Sequence, residues 1–163
     1  MLVRRPVDEV FNAFVDPAVT TRFWFTGSSG RLEPGAKVTW DWEMYGVSAD
    51  VHVRAIEQPS RILIEWDDPP TTVEWQFTSH GAEGTLVQIT NTGFQGTDEE
   101  VVGMALDSMG GFSLVLAALK AWLEHGIALN LVADRNPEAH VSHFSSPQRS
   151  SAEGSRTRSR QDP

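Results

Sequence analysis

Between residues 37 and 92 apolar and polar positions alternate with a period of two, broken only at turn signals. Val38, Trp40 and Trp42 alternate with Thr39, Asp41 and Glu43, and Val47, Ala49, Val51 and Val53 alternate with Ser48, Asp50, His52 and Arg54. Ile62, Ile64 and Trp66 follow the turn Gln58-Pro59-Ser60. Val73, Trp75 and Phe77 follow Asp67-Asp68-Pro69-Pro70, and Val87, Ile89 and Asn91 follow Gly81-Ala82-Glu83-Gly84. Successive side chains of a strand point to opposite faces, so the pattern predicts five half-buried strands in an antiparallel meander with one apolar and one wet face.

On either side of this block the period becomes helical. Val7, Val10, Phe11 and Phe14 share one face behind Pro6, with Asp8 and Glu9 in the first turn, where acids suit the helix dipole. Asp16-Pro17 breaks that helix, and residues 18–24 are expected to form a second short one, ended by Gly27-Ser28-Ser29-Gly30. Residues 2–4 are at most a short strand. Thr97-Asp98-Glu99-Glu100 is a capping box opening a helical stretch to about residue 131, with Met109, Phe112, Leu116, Leu119 and Leu123 at helical spacing. Gly110-Gly111 costs about 1 kcal/mol per glycine relative to alanine. The stretch is therefore two helices, or one helix whose glycine pair lets something approach closely.

Strands grouped before a terminal helix define an α+β fold, here a curved antiparallel sheet on a long C-terminal helix with two short helices near the N-terminus. Beyond Asn136-Pro137 the chain is Ser- and Arg-rich with little to bury, so the expected division is a domain over residues 1–134 and a disordered tail over 135–163.

Composition narrows the function classes. At 163 residues and 40% apolar the chain suits one domain with an ordinary core. Residues 1–134 hold 8 Lys/Arg against 19 Asp/Glu, while residues 135–163 hold 5 against 3. An acidic domain repels phosphate backbones, so nucleic-acid binding is not expected. No run of about 18 apolar residues is present, no membrane span is expected, and the location is expected to be cytoplasmic. The chain has no cysteine, which excludes disulfides and thiol chemistry. Phosphate loops, nucleophile elbows, zinc-helix motifs and dinucleotide fingerprints do not occur, so no catalytic residue is assigned. His52, His80, His125, His140 and His143 have no ligand spacing, and neither a metal nor another cofactor is expected. Asp67-Asp68 before Pro-Pro reads as a solvated turn.

The segments Pro6-Val7-Asp8-Glu9-Val10-Phe11-Asn12-Ala13-Phe14, Val53-Arg54-Ala55-Ile56-Glu57-Gln58-Pro59-Ser60-Arg61-Ile62 and Ala118-Leu119-Lys120-Ala121-Trp122-Leu123-Glu124-His125-Gly126 resemble the START-like (SRPBCC, helix-grip) superfamily. Within it they are most similar to the branch named after the activator of heat-shock protein 90 ATPase. The resemblance covers residues 1 to about 134 and implies a helix-grip fold. Its members include lipid carriers, plant hormone receptors and aromatase/cyclases. Two positions depart from many relatives: Gly111-Phe112 stands where a Gly-Trp step is common, and Asn91 where the last strand often carries His.

Parity places the tryptophans of the strands on the face toward the long helix. The reading that follows is a binding module for a small hydrophobic or aromatic molecule in a cavity between sheet and helix. Trp24, Trp40, Trp42, Trp66, Trp75, Phe77, Met109, Phe112 and Leu116 would form its wall, and Asn91, polar on an apolar face, would orient the ligand. One alternative is a cyclase- or hydratase-like enzyme in which Asn91, Tyr45 or Glu65 assists proton transfer. The other is a co-chaperone-like module. The better-known activators carry an additional N-terminal domain, for which this chain has no room. Self-association as a homodimer is open.

Overall fold

The computed structural model describes residues 1–142. The elements are β1 (Leu2–Val3), α1 (Val7–Val15), α2 (Pro17–Thr20), β2 (Gly27–Ser28), β3 (Lys37–Trp42), β4 (Val47–Glu57), β5 (Arg61–Trp66), β6 (Thr71–Ser79), β7 (Thr85–Thr92), α3 (Asp98–His125) and α4 (Leu131–Asp134). Among the described residues the strands form one seven-stranded antiparallel sheet ordered β1-β7-β6-β5-β4-β3-β2. β3 to β7 are the expected meander. Its register sets Trp40 beside Ala49, Ile62 beside Trp75, and Trp75 beside Ile89, which collects the apolar parity on the face toward α3. A register shift between Val53 and Ala55 marks a bulge in β4, the kind of irregularity that bends a strand.

Two edge strands flank the expected five. Leu2–Val3, within the short strand allowed at residues 2–4, pairs with Leu86 and Thr85 of β7, whereas Gly27–Ser28, read as a break, pairs with Asp41 and Trp40 of β3. The helix expected over 18–24 stops at Thr20. Phe23, Trp24 and Phe25 are all buried. Three consecutive side chains about 100° apart cannot share one helix face, so burying all three requires the chain to leave the helix.

α3 is one uninterrupted helix. Thr97 Oγ1 accepts the Glu100 N–H, and the Glu100 carboxylate accepts from the Thr97 N–H at 2.8 Å and its hydroxyl at 2.9 Å. These bonds hold the Glu100 carboxyl below its usual range. The helix ends at His125, earlier than expected, because Gly126 takes a left-handed conformation (φ 66°) and its N–H returns to the last turn. By length and composition α3 is apolar enough to cross a membrane. In its C-terminal half that apolarity serves the core, where Phe112, Val115, Ala118 and Leu119 are buried. Its N-terminal half leaves Val102, Met104, Leu106 and Met109 exposed.

The disorder expected from residue 135 is corrected for residues 135–142. Arg135 pairs with Asp107 at 2.7 Å, His140 Nε2 lies 2.8 Å from the Ala133 carbonyl, and the Val141 N–H donates to the Met44 carbonyl at 3.0 Å. The segment thus straps the end of α4 to the turn after β3, and its bonds to Asp107 and Met44 reach residues far away in sequence, which local composition does not reveal. The rest of the expected tail, with His143, Phe144, Arg156, Arg158 and Arg160, lies outside the described residues. Truncation after Asp134 is expected to lower the melting temperature by several degrees, equivalent to about 1 kcal/mol or more. Truncation after Ser142, which keeps every one of these contacts, is the control, and equal melting temperatures for the two would refute the strap.

Candidate functional site

Trp24 is the hub of the packing between sheet and helix. Its ring centroid lies 4.9 Å from Trp40, 6.2 Å from Trp66, 6.0 Å from Trp75 and 5.8 Å from Phe112. Beyond this cluster, toward the N-terminal half of α3, helix and sheet do not close on each other. A cleft of about 840 Å³ remains. Trp24, Trp42 and Trp66 form its sheet side, and Gly103, Ser108, Gly111, Phe112 and Val115 its helix side. Asp67, Asp68, Met104 and Asp107 stand at an exposed rim, and Val132 and Arg135 close one end. Clefts of this volume with aromatic walls and a few convergent polar groups are common small-molecule sites.

Of the residues expected to form the wall, Trp24, Trp42, Trp66, Asn91 and Phe112 line the cleft. Trp40 and Trp75 are 1% exposed and Phe77 5%, and they lie behind it in the core. Parity identified their face correctly but not their depth, since the central rings of a sheet are covered by their neighbours. Met109, 63% exposed, and Leu116 flank Phe112 on the other side of α3, where they line a separate shallow groove against β7. Glu65 pairs with Arg54 at 2.5 Å on the outer face of the sheet, and the Tyr45 hydroxyl donates to the Val132 carbonyl at 2.5 Å. Neither line the cleft. Among the described residues no group of His, Asp and Glu side chains is arranged to hold a metal.

The polar groups of the cleft are few. Asn91 Nδ2 donates to Ser108 Oγ at 3.0 Å, tying β7 to α3. Asn91 Oδ1 and Trp66 Nε1 are buried and have no hydrogen-bond partner among the described residues. Turning the amide would hand its oxygen to Ser108 and leave its nitrogen unpartnered instead, so one end of Asn91 stays free in either orientation. Asp67 holds φ 72°, a left-handed conformation that Asp adopts more readily than most residues, and its carboxylate accepts from Thr71 Oγ1 at 3.0 Å. The Asp67-Asp68 turn is exposed, as expected, but it also frames the mouth.

Arg135 was not foreseen. Its guanidinium lies across the glycine pair of α3, where a Cβ on Gly110 would meet it at 3.2 Å and one on Gly111 at 3.1 Å. This is the close approach that the pair permits. The sequence signals the glycines but not their partner, which arrives from beyond α4.

An open antiparallel sheet gripping one long C-terminal helix, with an aromatic cleft on its concave side, defines a helix-grip protein of the START-like superfamily. The chain belongs to the family of Activator of Hsp90 ATPase homolog 1-like proteins, whose pattern matches residues 4–124. Among solved structures it is similar to protein SSP2350 of Staphylococcus saprophyticus, at 32% identity over 79% of this chain and 91% of that one, with a TM-score of 0.69. DynU16, from the dynemicin biosynthetic locus, is 26% identical over 78% of this chain and 46% of its own, with a TM-score of 0.66. The Aha1 dimer of Colwellia psychrerythraea shares the fold at 17% identity, over 77% of this chain and 93% of that one, with a TM-score of 0.65. Among curated proteins none matches the chain.

Gly110→Ala tests the placement of Arg135. Helix propensity favours alanine by up to about 1 kcal/mol, but the new methyl must push the guanidinium aside. The gain in denaturation free energy is expected to be smaller in the native background than in Arg135→Ala, where nothing needs to move. Equal gains in both backgrounds would show that Arg135 does not rest there.

Proposed function

We propose that this protein binds a small, planar hydrophobic or aromatic molecule in the cleft between sheet and α3. One observation carries the reading: a cleft walled by Trp24, Trp42, Trp66 and Phe112 also holds two buried polar groups without partners among the described residues, the Trp66 indole N–H and one end of the Asn91 amide. A buried donor or acceptor left unmade costs about 1–3 kcal/mol, so both positions favour a ligand that supplies the complementary groups, such as a ring carrying a carbonyl and a hydroxyl. The exposed carboxylates of Asp67 and Asp68 at the rim disfavour anions, while Arg135, the one arginine lining the cleft among the described residues, is engaged by Asp107. Neutral polycyclic compounds and flavonoids therefore fit better than fatty-acid carboxylates.

A cyclase or hydratase would need a proton-transfer pair inside this space, and the candidates Glu65 and Tyr45 are engaged elsewhere. Conversion of a bound compound, rather than its stable retention, would move the reading to an enzyme. A cytoplasmic location and self-association belong to the same proposal. The dimeric state of the Colwellia protein of this fold supports the latter.

Binding is expected to quench or shift tryptophan emission, since three of the lining residues are tryptophans. Asn91→Leu keeps similar bulk and removes the amide, so affinity is expected to fall by about 1–2 kcal/mol, with folding stability changed by less than about 1 kcal/mol. A destabilised variant with unchanged affinity would remove Asn91 from the site. A panel of hydroxylated aromatics that alters neither emission nor melting temperature would overturn the function itself.

A further inference from the structure

β7 is paired on both sides for only part of its length. β6 accompanies it throughout, but β1 covers only Thr85 and Leu86, and Met1 then exchanges backbone bonds with Val87 at 2.9 and 2.6 Å. Over residues 88–92 no strand lies on that side among the described residues. In an antiparallel ladder the N–H and C=O groups of successive residues point to alternate edges. Those of Val87 point outward to Met1, so those of Ile89 and Asn91 point outward as well.

Edges of this kind are usually blunted by Lys, Pro or a bulge. Here the segment is Gln88-Ile89-Thr90-Asn91-Thr92, uncharged and without proline. Beside it runs the exposed stripe of α3, with Val102 at 57%, Leu106 at 58% and Met109 at 63% exposure, spaced four and three residues apart so that they share one helix face. Met109 of this stripe lines a groove of about 470 Å³ between α3 and β7, together with Met1 and Ile89 and the uncharged polar side chains of Gln88, Thr90 and Asn91.

The geometry points to this surface, the β7 edge with the α3 stripe, as the face through which two copies of the chain associate about a two-fold axis at Thr90. This rests on the self-association proposed above and names its surface. Antiparallel pairing about Thr90 sets Ile89 against Asn91 of the second copy, and each such pair exchanges both of its hydrogen bonds. Gly93 turns the chain away at φ 92°, so the second copy leaves the sheet before reaching Met1. A two-fold interface must be complementary to itself, and an uncharged edge bordered by an apolar stripe meets that requirement. Two chains of net charge −9 repel each other, and an edge segment without charged side chains is a face at which that repulsion is small.

The chain has no cysteine, so Thr90→Cys places one thiol on the axis, at a non-hydrogen-bonded pair where facing Cα atoms lie about 4.5 Å apart. Mild oxidation of the full chain is expected to give a disulfide-linked dimer that dithiothreitol reverses, whereas Thr78→Cys on β6 is expected to stay monomeric on the same non-reducing gel. Leu106→Lys is expected to weaken dimerisation in sedimentation velocity about tenfold or more, without lowering the melting temperature. A native chain that sediments as a monomer at all concentrations would overturn both the self-association and this surface. A dimer that survives Leu106→Lys and fails to cross-link through Thr90→Cys would leave the self-association standing and overturn the surface.

Discussion

The architecture depends on a mismatch of side-chain size between the two layers. Trp24 sits between sheet and helix with Trp40, Trp66, Trp75 and Phe112 around it, and these rings set how near α3 can come. Along the C-terminal half of the helix, Val115, Ala118 and Leu119 reach the sheet and the interior is filled. Along the N-terminal half the larger lining side chains, Met104 and Asp107, stand at the exposed rim, and Gly103, Ser108 and Gly111 are too short to span the gap to Trp42 and Trp66. The cleft follows from large residues on the sheet facing small ones on the helix. Protein interiors are otherwise packed nearly as densely as organic crystals, so an opening of this size needs such a cause.

The same mismatch explains the unusual surface of α3. A helix with one apolar stripe buries it and wets the rest. α3 is apolar on more than one face, and among the described residues only its C-terminal half is covered. The first half stands away from the sheet on one side, over the cleft, and no described element packs on the other, beside β7. Its capping box is therefore structurally important, since Thr97 and Glu100 start a helix end that little else supports.

What the sequence made legible was whatever a local period or a cap encodes. The five strands of the meander, the first helix, the capped start of α3 and the apolar face of the sheet were all visible in the spacing of residues such as Val73, Trp75 and Phe77. The strand Gly27–Ser28 was not, because it carries no period and becomes a strand only through pairing with Trp40 and Asp41. Depth was not visible either. Trp40 and Trp42 have the same parity, yet one is sealed beneath Trp24 and Phe25 while the other is half-exposed in the cleft. The partner of the glycine pair also escaped, because Arg135 reaches Gly110 and Gly111 only after the chain has turned through α4.

Asn91 shows how much one position can hold. Its backbone N–H and C=O point to the open edge, its Nδ2 bonds Ser108 on α3, and its Oδ1 is buried beside the cleft without a partner among the described residues. The Asn91–Ser108 bond and the Phe112 ring are the wall between cleft and groove, since all three residues line both. A ligand that bonds the amide and a second strand that bonds the backbone of the same residue would act on one short piece of chain. Any coupling between the two is reciprocal: whatever factor a ligand applies to association, association applies to the ligand. Its size is limited by the differential contacts each makes through Asn91, Phe94, Ser108 and Phe112, because among the described residues no other residue lining the cleft also lines the groove.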